Sequence, residues 1–263
     1  MSDTLARLTA TDLPALVGKL GFRDDDVEGV LAAARSVAAC ERDLAQVDLL
    51  RSRLVSGIGG FDREANDDAL AGPILGERHA EDVLAIMALV ASAAEVAAFH
   101  RSRGVPDSVS WCTLSDLGEQ ARVHRLTYGG FGLHTYQWLE VAWSGALYWL
   151  GRLQFNLQQS DGEWVISTHI PATGPLTPEA VDDSMSRART FFARHFPEQP
   201  AAGFHCHSWL LDPHLAETLP PESNLARFQQ RWRLYGEPSP GDQDVLFFAF
   251  SRRGPVDLDT LPR

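Results

Sequence analysis

The chain has 263 residues, of which 44% are hydrophobic and 22% charged, and its formal net charge is −12. This composition is typical of a soluble globular protein with one large domain or two small ones. The acidic residues are spread along the chain and no basic stripe offsets them, which argues against nucleic-acid binding, since that depends on clustered Lys and Arg.

The cysteines and the most apolar stretch bear on the compartment. Cys40, Cys112 and Cys206 stand far apart, and an odd number without a Cys-x-x-Cys pair predicts free thiols in a cytoplasmic protein. The first residues lack the basic and apolar segments of a signal peptide. Because Glu95 interrupts the apolar stretch Val83–Phe99, we expect a buried helix there and no membrane span.

The first hundred residues are predicted to be wholly helical. Ala, Leu, Val and Arg recur there at helical spacing, and the predicted helices cover residues 13–20, 26–54, 63–70 and 79–103. Glycine and proline in Gly104–Ser110 predict a linker. We therefore expect an all-helical N-terminal domain over residues 1–108 and a second domain over residues 109–263.

The second domain is predicted to combine helices and strands. Asp161-Gly162 lies between alternating apolar runs and is typical of a β-hairpin. The predicted elements are helices over 115–128, 135–143, 178–195, 213–219 and 224–234, and strands over 146–158, 163–170, 203–211 and 244–250. This order indicates an α+β fold with a mixed sheet.

The turn between the second strand and the long helix is a candidate ligand site. Gly174 permits close approach of a ligand to the backbone, and Thr177-Pro178 is a favourable helix start. Free backbone N–H groups at such a helix N-terminus bind phosphates, although an ordinary capped helix has the same pattern.

The charges around this turn leave the phosphate hypothesis without an obvious basic partner. Acidic residues occupy the first two turns of the helix, namely Glu179, Asp182 and Asp183, and they would repel a phosphate. The turn itself contains no Lys or Arg. A basic residue from elsewhere, Arg187 or Arg227, is therefore needed.

Reactive side chains follow on the next predicted strand, in the run His205-Cys206-His207-Ser208. His207 could act as a general base, because the pKa of histidine lies near working pH. Cys206 could be a nucleophile. A metal site built from His169, His205, His207 and either His214 or Cys206 is a weaker alternative, and a buried cysteine beside hydrogen-bonded histidines is the structural alternative.

Three further residues have a functional and a structural interpretation. His169 ends a strand beside the turn, where ligand-binding residues of open α/β sheets collect, and it could equally be a hydrogen-bonded residue at a strand end. Tyr235 could donate a proton to a leaving thiolate or simply pack. Asn224, at the start of a predicted helix, is most simply a helix cap.

Several stretches together resemble a known family. They are Leu150–Phe155, His169–Pro178, Cys206–Leu211 and Ser223-Asn224. In these stretches the second half resembles the GNAT-like C-terminal domain of a group of bacterial acyltransferases, and the helical first half is similar to the acyltransferase N-terminal domain found with it. The resemblance covers residues 114–235 best.

The resemblance implies a GNAT-like fold and a site for acyl-CoA as co-substrate, acetyl-CoA being the donor we expect. The implied cofactor-binding residues are Ile170, Ala172, Thr173, Gly174, Leu176, Thr177 and Asn224. The resemblance puts the strand with His207 on the acceptor side and Tyr235 near the place of the usual tyrosine acid. Our own first choice for the base is His207 and our second is His169, with Tyr235 as the acid. The family's usual Gln/Arg-x-x-Gly-x-Gly/Ala signature is absent, and Ala172-Thr-Gly-Pro-Leu-Thr177 stands in its place.

The function expected from this resemblance is acyl-CoA-dependent N-acyl transfer, in which an amine attacks the thioester directly. The expected partner is a small-molecule amine acceptor, with no nucleic acid, membrane or metal involved. The alternative is a non-catalytic ligand-binding or partner-binding protein on a degenerate GNAT fold. The acceptor, the acyl chain length and the oligomeric state are left open by the sequence.

Overall fold

The computed structural model describes residues 2–61 and 79–252. The chain divides into two compact units, Met1–Tyr148 with Asn156–Gly162, and Trp149–Phe155 with Glu163–Arg263. The helix predicted over residues 63–70 lies outside the described residues.

The first unit is built from helices around an apolar core. Its described helices are α1 Asp3–Leu8, α2 Leu13–Lys19, α3 Asp24–Ala39, α4 Glu41–Ser56, α5 His79–Ser102, α6 Asp107–Leu114, α7 Asp116–Tyr128 and α8 Tyr136–Trp143. α5 contributes the largest share of the core, including the fully buried Ile86, Met87 and Leu89. The helical character predicted for this part of the chain is confirmed.

α5 is also the one helix of the described chain that is long and apolar enough to cross a membrane, over Val83–Ser102. Of its most apolar window, 67% is buried inside the protein. This burial is what the sequence analysis expected of a core helix.

Two predicted boundaries in the helical part are wrong. The helix predicted over residues 26–54 is two helices, because Cys40 adopts an extended backbone (φ −120°, ψ 109°) between α3 and α4. The linker predicted at Gly104–Ser110 is mostly the start of α6, which Pro106 precedes in an extended conformation. α6 also contains residue 108, at which the N-terminal domain is predicted to end.

The strands are β1 Leu147–Leu150, β2 Leu153–Ser160, β3 Glu163–His169 and β4 Phe204–His205, which form one sheet in the order β1-β2-β3-β4. The strand predicted over residues 146–158 is therefore two strands, separated at Gly151, whose φ is 78°. The predicted hairpin at Asp161-Gly162 is confirmed. Both residues have positive φ, 52° and 80°, as a type I′ turn requires.

α9 Pro178–His195 follows β3 and leads to β4. The Thr177 hydroxyl accepts a hydrogen bond from the N–H of Ala180 at 3.3 Å, so the predicted cap is confirmed. The buried residues of α9 are Val181, Ser184, Ala188, Phe191, Phe192 and His195. β4 then pairs in parallel with β3, Ile166 opposite Phe204 and Ser167 opposite His205.

The C-terminal part differs most from prediction. The strand expected over residues 203–211 is reduced to β4, after which Trp209–Leu211 form a 3₁₀ turn capped by Ser208. The strand expected over residues 244–250 is a helix, α12 Asp242–Phe250. α10 Pro213–Thr218 agrees with prediction, and α11 Asn224–Gln229 ends earlier than predicted. The α+β class with a mixed sheet is confirmed.

Candidate active site

The turn between β3 and α9, residues 170–177, is shaped by a single arginine. The side chain of Arg152 donates to three carbonyl oxygens of this turn, through Nη1 to Pro171 (2.9 Å), Nη2 to Gly174 (2.9 Å) and Nε to Pro175 (3.3 Å). Gly174 has φ 63°, a conformation that favours glycine. The turn is therefore fixed by a residue from the β1–β2 connection, about twenty positions earlier in the sequence.

Arg152 is itself fixed through its backbone. Its N–H donates to the Ser184 hydroxyl (2.7 Å), which in turn donates to the carbonyl of Ala180 (2.8 Å). Partial burial lowers the pKa of the Arg152 guanidinium from its usual value. The three carbonyl acceptors replace the water that this guanidinium loses.

The same turn leaves backbone donors available. Within the described residues, no protein acceptor pairs with the backbone N–H groups of Ala172, Gly174, Leu176, Thr177 and Glu179. By contrast, the N–H of Thr173 donates to Pro171 at 2.8 Å. Free N–H groups at the start of a long helix fit a phosphate-bearing ligand.

The acidic residues of the first turns of α9 are partly neutralised. Arg231 binds Asp182 at 2.8 Å and also donates to the carbonyl of Pro178 at 3.2 Å. Arg187 binds Asp183 at 2.7 Å. The basic side chains that reach this region are therefore Arg152, Arg231 and the predicted Arg187, whose partner is Asp183.

A histidine–tyrosine pair lies at the end of β4. The hydroxyl of Tyr235 and Nδ1 of His205 are 2.9 Å apart, a hydrogen bond whose direction depends on the tautomer, and the ring centroids are 5.3 Å apart. The exposed fraction of Tyr235 is 66%, so it can still contact a ligand. The sequence predicts Tyr235 as an acid and His205 only as a metal ligand, and no sequence signal predicts their pairing.

His207 is exposed, and its Nε2 lies 3.1 Å from the Ser239 hydroxyl. Ser239 is not predicted from the sequence, because it lies in a proline- and glycine-rich segment with no motif. The geometry keeps an imidazole within reach of solvent and hydrogen-bonded on one nitrogen, which is compatible with the predicted base role.

The other predicted residues are placed as follows. His169 is the last residue of β3 and is partly buried, two positions beyond the Ser167–His205 pair. Asn224 is the exposed first residue of α11, and Ser223 is the cap, accepting from Ala226 N–H at 3.2 Å. The cofactor role of Asn224 and the base role of His169 stay predictions.

Cys206 does not have the surroundings of an activated thiol. Burial raises its pKa to about 12, so the sulfur is protonated at neutral pH, and a thiolate is the form that acts as nucleophile. This favours the structural interpretation of Cys206. The metal alternative gains no support from the described residues, among which no three His, Cys, Asp or Glu side chains are grouped to hold an ion.

A parallel β3–α9–β4 unit with free amides at the helix start, and ionisable side chains at and after the end of β4, is an arrangement typical of sites for phosphate-bearing ligands. Family comparison gives its class. Residues 11–145 match the N-acyltransferase N-terminal domain, and residues 147–263 match the GNAT-like C-terminal domain. The chain belongs to this family of N-acyltransferases.

Solved structures of acyltransferases are similar to this chain over most of its length. An acyltransferase in complex with CoA and 10C-teicoplanin is 33% identical, with a TM-score of 0.86 over 97% of this chain and 80% of that chain. An acyltransferase in complex with decanoyl-CoA is 34% identical, with a TM-score of 0.85 over 95% of this chain and 78% of that one. A third, with decanoyl-CoA and teicoplanin, is 34% identical, with a TM-score of 0.84 over 95% and 78%. No curated protein matches the chain.

The predicted family, the GNAT-like fold and the enzyme class, an acyltransferase that uses acyl-CoA, are thereby confirmed. The individual site residues stay predictions. The boundary predicted at residue 108 also stays a prediction, and the two family domains meet near residue 146.

Proposed function

We propose that this enzyme transfers a medium-length acyl chain from acyl-CoA to an amine of a glycopeptide. The observation that carries the proposal is the similarity, at 33–34% identity over nearly the whole chain, to acyltransferases bound to decanoyl-CoA and to teicoplanin. A donor longer than acetyl-CoA replaces the sequence-based expectation, because the similar structures hold decanoyl and octanoyl chains.

The turn supports the donor part of this proposal. Residues Ile170–Thr177 hold the donor, with the unpaired N–H groups of Ala172, Gly174 and Leu176 facing its phosphates. The pairing of Asp182 with Arg231 reduces the repulsion that the sequence alone suggested. Asn224 is a further donor-side contact in this proposal.

The chemistry is a direct attack. The acceptor nitrogen bonds to the thioester carbonyl carbon, the carbon–sulfur bond breaks, and His207 takes the proton from the amine. Tyr235, paired with His205, returns a proton to the leaving thiolate. Most of the acceleration comes from holding the reactants together, and proton transfer adds roughly 10²–10⁴-fold.

The test uses acetyl-, octanoyl- and decanoyl-CoA with teicoplanin lacking its acyl chain as acceptor. CoA release is followed by thiol titration, and the product by mass. We expect acylated product with the longer donors and little with acetyl-CoA, and none with an acceptor whose amine is blocked. If acyl-CoA binds and no donor gives product, the acceptor is not an amine of this glycopeptide and the acceptor part of the proposal is wrong.

The role of His207 has its own test. His207→Ala should lower kcat by roughly 10²-fold or more, with little change in KM, because a base acts on the chemical step. His214→Ala is the matched control, since His214 is an exposed histidine bound only to Asp212 at 2.8 Å. Near-normal turnover of His207→Ala would transfer the base role to His169.

We also propose that the enzyme works in the cytoplasm. Supporting this, the thiols of Cys40, Cys112 and Cys206 are all free, as a reducing compartment keeps them. Immunodetection in cell fractions tests it, and recovery only outside the cytoplasmic fraction would contradict it.

A further inference from the structure

The family's usual glycine-rich signature is absent, so another feature must hold the turn in a phosphate-binding shape. We propose that Arg152 is the positioning residue that orients the amides of Ala172 and Leu176 toward the phosphates of the donor. This inference rests on the proposed function. It adds a residue from the β1–β2 connection to the donor site.

The geometry of the peptide bond explains how Arg152 orients these amides. In a planar trans peptide the carbonyl of one residue and the N–H of the next point in opposite directions. Arg152 draws the carbonyls of Pro171 and Pro175 toward its guanidinium. The N–H groups of Ala172 and Leu176 must therefore point away from Arg152, and no protein acceptor meets either of them in the described chain.

The third carbonyl completes the arrangement. Arg152 also holds the oxygen of Gly174, and the following residue, Pro175, has no N–H to present. One side of the turn thus carries carbonyl oxygens bound to a cation, and the other side carries free donors. Glycines in the usual signature let a loop adopt such a shape by backbone freedom, whereas here an arginine and the two prolines of the turn fix it.

The chemistry of the side chain is specific to arginine. The guanidinium is a planar fork with five N–H donors, and three of its nitrogens are used here for three separate carbonyls. A lysine ammonium is a point charge on a flexible stem and cannot reproduce this spread. The anchoring of the Arg152 backbone to Ser184 (2.7 Å) fixes where the fork begins.

The experiment compares two donors that differ at the phosphates. Wild type, Arg152→Met and Arg152→Lys are assayed with decanoyl-CoA and with decanoyl-pantetheine, which lacks the nucleotide and its pyrophosphate. CoA affinity is measured separately by calorimetry, and the thermal midpoint reports folding. Arg194→Met is the control, because Arg194 is an exposed arginine at the far end of α9.

We expect Arg152→Met to weaken CoA binding about 10- to 100-fold, corresponding to roughly 1.4–2.8 kcal/mol, and to raise KM for decanoyl-CoA similarly. Its kcat should change little, and kcat/KM for decanoyl-pantetheine should stay near the wild-type value. Arg152→Lys should recover only part of the affinity. Arg194→Met should resemble wild type throughout.

Other outcomes separate the possible failures. Equal losses with both donors in Arg152→Met and Arg152→Lys, with a lower thermal midpoint, would show that Arg152 only stabilises the fold, and the proposal would be overturned. Unchanged CoA affinity in either folded variant would also overturn it. If wild type itself neither binds CoA nor turns over decanoyl-CoA, the proposed function has failed and not merely the role of Arg152.

Discussion

At the scale of single residues, the thiol of Cys206 distinguishes direct acyl transfer from transfer through an acyl-enzyme. Burial raises its pKa to about 12, so below about pH 10 nearly all of the sulfur is protonated and a poor nucleophile. We expect Cys206→Ala to keep kcat within about threefold of wild type. Turnover measurements and intact mass after mixing with donor alone check this.

The control for Cys206 is Cys112→Ala, which removes an exposed free thiol elsewhere in the chain. Both variants should show the same donor preference as wild type. A large loss of kcat in Cys206→Ala, together with an acyl adduct on Cys206 in the wild type, would mean that transfer passes through an acyl-enzyme.

Tyr235 offers a test of the acid role that is separable from folding. Tyr235→Phe removes only the hydroxyl, which lies 2.9 Å from His205 Nδ1. We expect kcat to fall roughly 10²-fold with KM nearly unchanged, because proton donation acts on the transition state. The thermal midpoint should stay constant, because the side chain is 66% exposed.

A thiol leaving group of lower pKa needs less help from an acid, which provides the internal control for Tyr235. With a thiophenyl ester donor the difference between Tyr235→Phe and wild type should shrink. An equally large difference with both donors would point to acceptor placement by the His205–Tyr235 pair instead of proton donation.

At the scale of elements, Ser184 joins α9 to the connection between β1 and β2. Its hydroxyl accepts from Arg152 N–H at 2.7 Å, and the residue is fully buried. Ser184→Ala leaves that N–H without its partner, so we expect a loss of about 1–3 kcal/mol in the free energy of unfolding. Urea denaturation measures it, with the exposed Ser186→Ala as control. Equal stability of the two variants would contradict the role of Ser184.

The elements that sequence predicted well are those with local signals. The Asp161-Gly162 turn and the Thr177 cap are specified by residues next to each other, and both are as expected. The strand expected over residues 244–250 is instead α12, because a short continuous apolar run has no period that separates helix from strand. Acidic residues at its start favour the helix.

The sequence predicted only those parts of the candidate site that have local signals. The turn and Tyr235 follow from local pattern and resemblance, but Arg152 reaches the turn, and Arg231 the start of α9, from positions about twenty and fifty residues away in sequence. No spacing rule connects them to Gly174. Such pairings depend on how β1, β2, α9 and α11 pack, which composition and periodicity do not determine.

At the scale of the whole molecule, the response of folding to acid depends on buried ionisable groups such as His100. This residue is fully buried in the helical unit. Its Nδ1 lies 2.8 Å from the Ser110 hydroxyl, and its Nε2 has no hydrogen-bond partner in the described chain. Burial lowers the pKa of His100 from 6.5 to about 4, because the cation loses its water.

The consequence for stability follows from the direction of that shift. Between about pH 6.5 and pH 4 the unfolded chain binds a proton at His100 and the folded chain does not, so stability rises with pH across this window. The contribution is fully present above pH 6.5 and is lost as the pH falls toward 4, by about 3 kcal/mol in total.

We therefore expect His100→Gln, which cannot be protonated, to lose this pH dependence. The free energy of unfolding of each protein is measured by urea denaturation at pH 7.5, 5.5 and 4.5. As the pH falls, wild type should lose more stability than His100→Gln. The difference in the free energy of unfolding between the two proteins cancels the titration of the carboxylates and of the other histidines. The Asp212 carboxylate raises the pKa of the exposed His214, so any change for His214→Ala should run in the opposite direction, against the variant as the pH falls. A constant difference between wild type and His100→Gln across this range would mean that His100 is protonated in the folded protein as readily as in the unfolded chain.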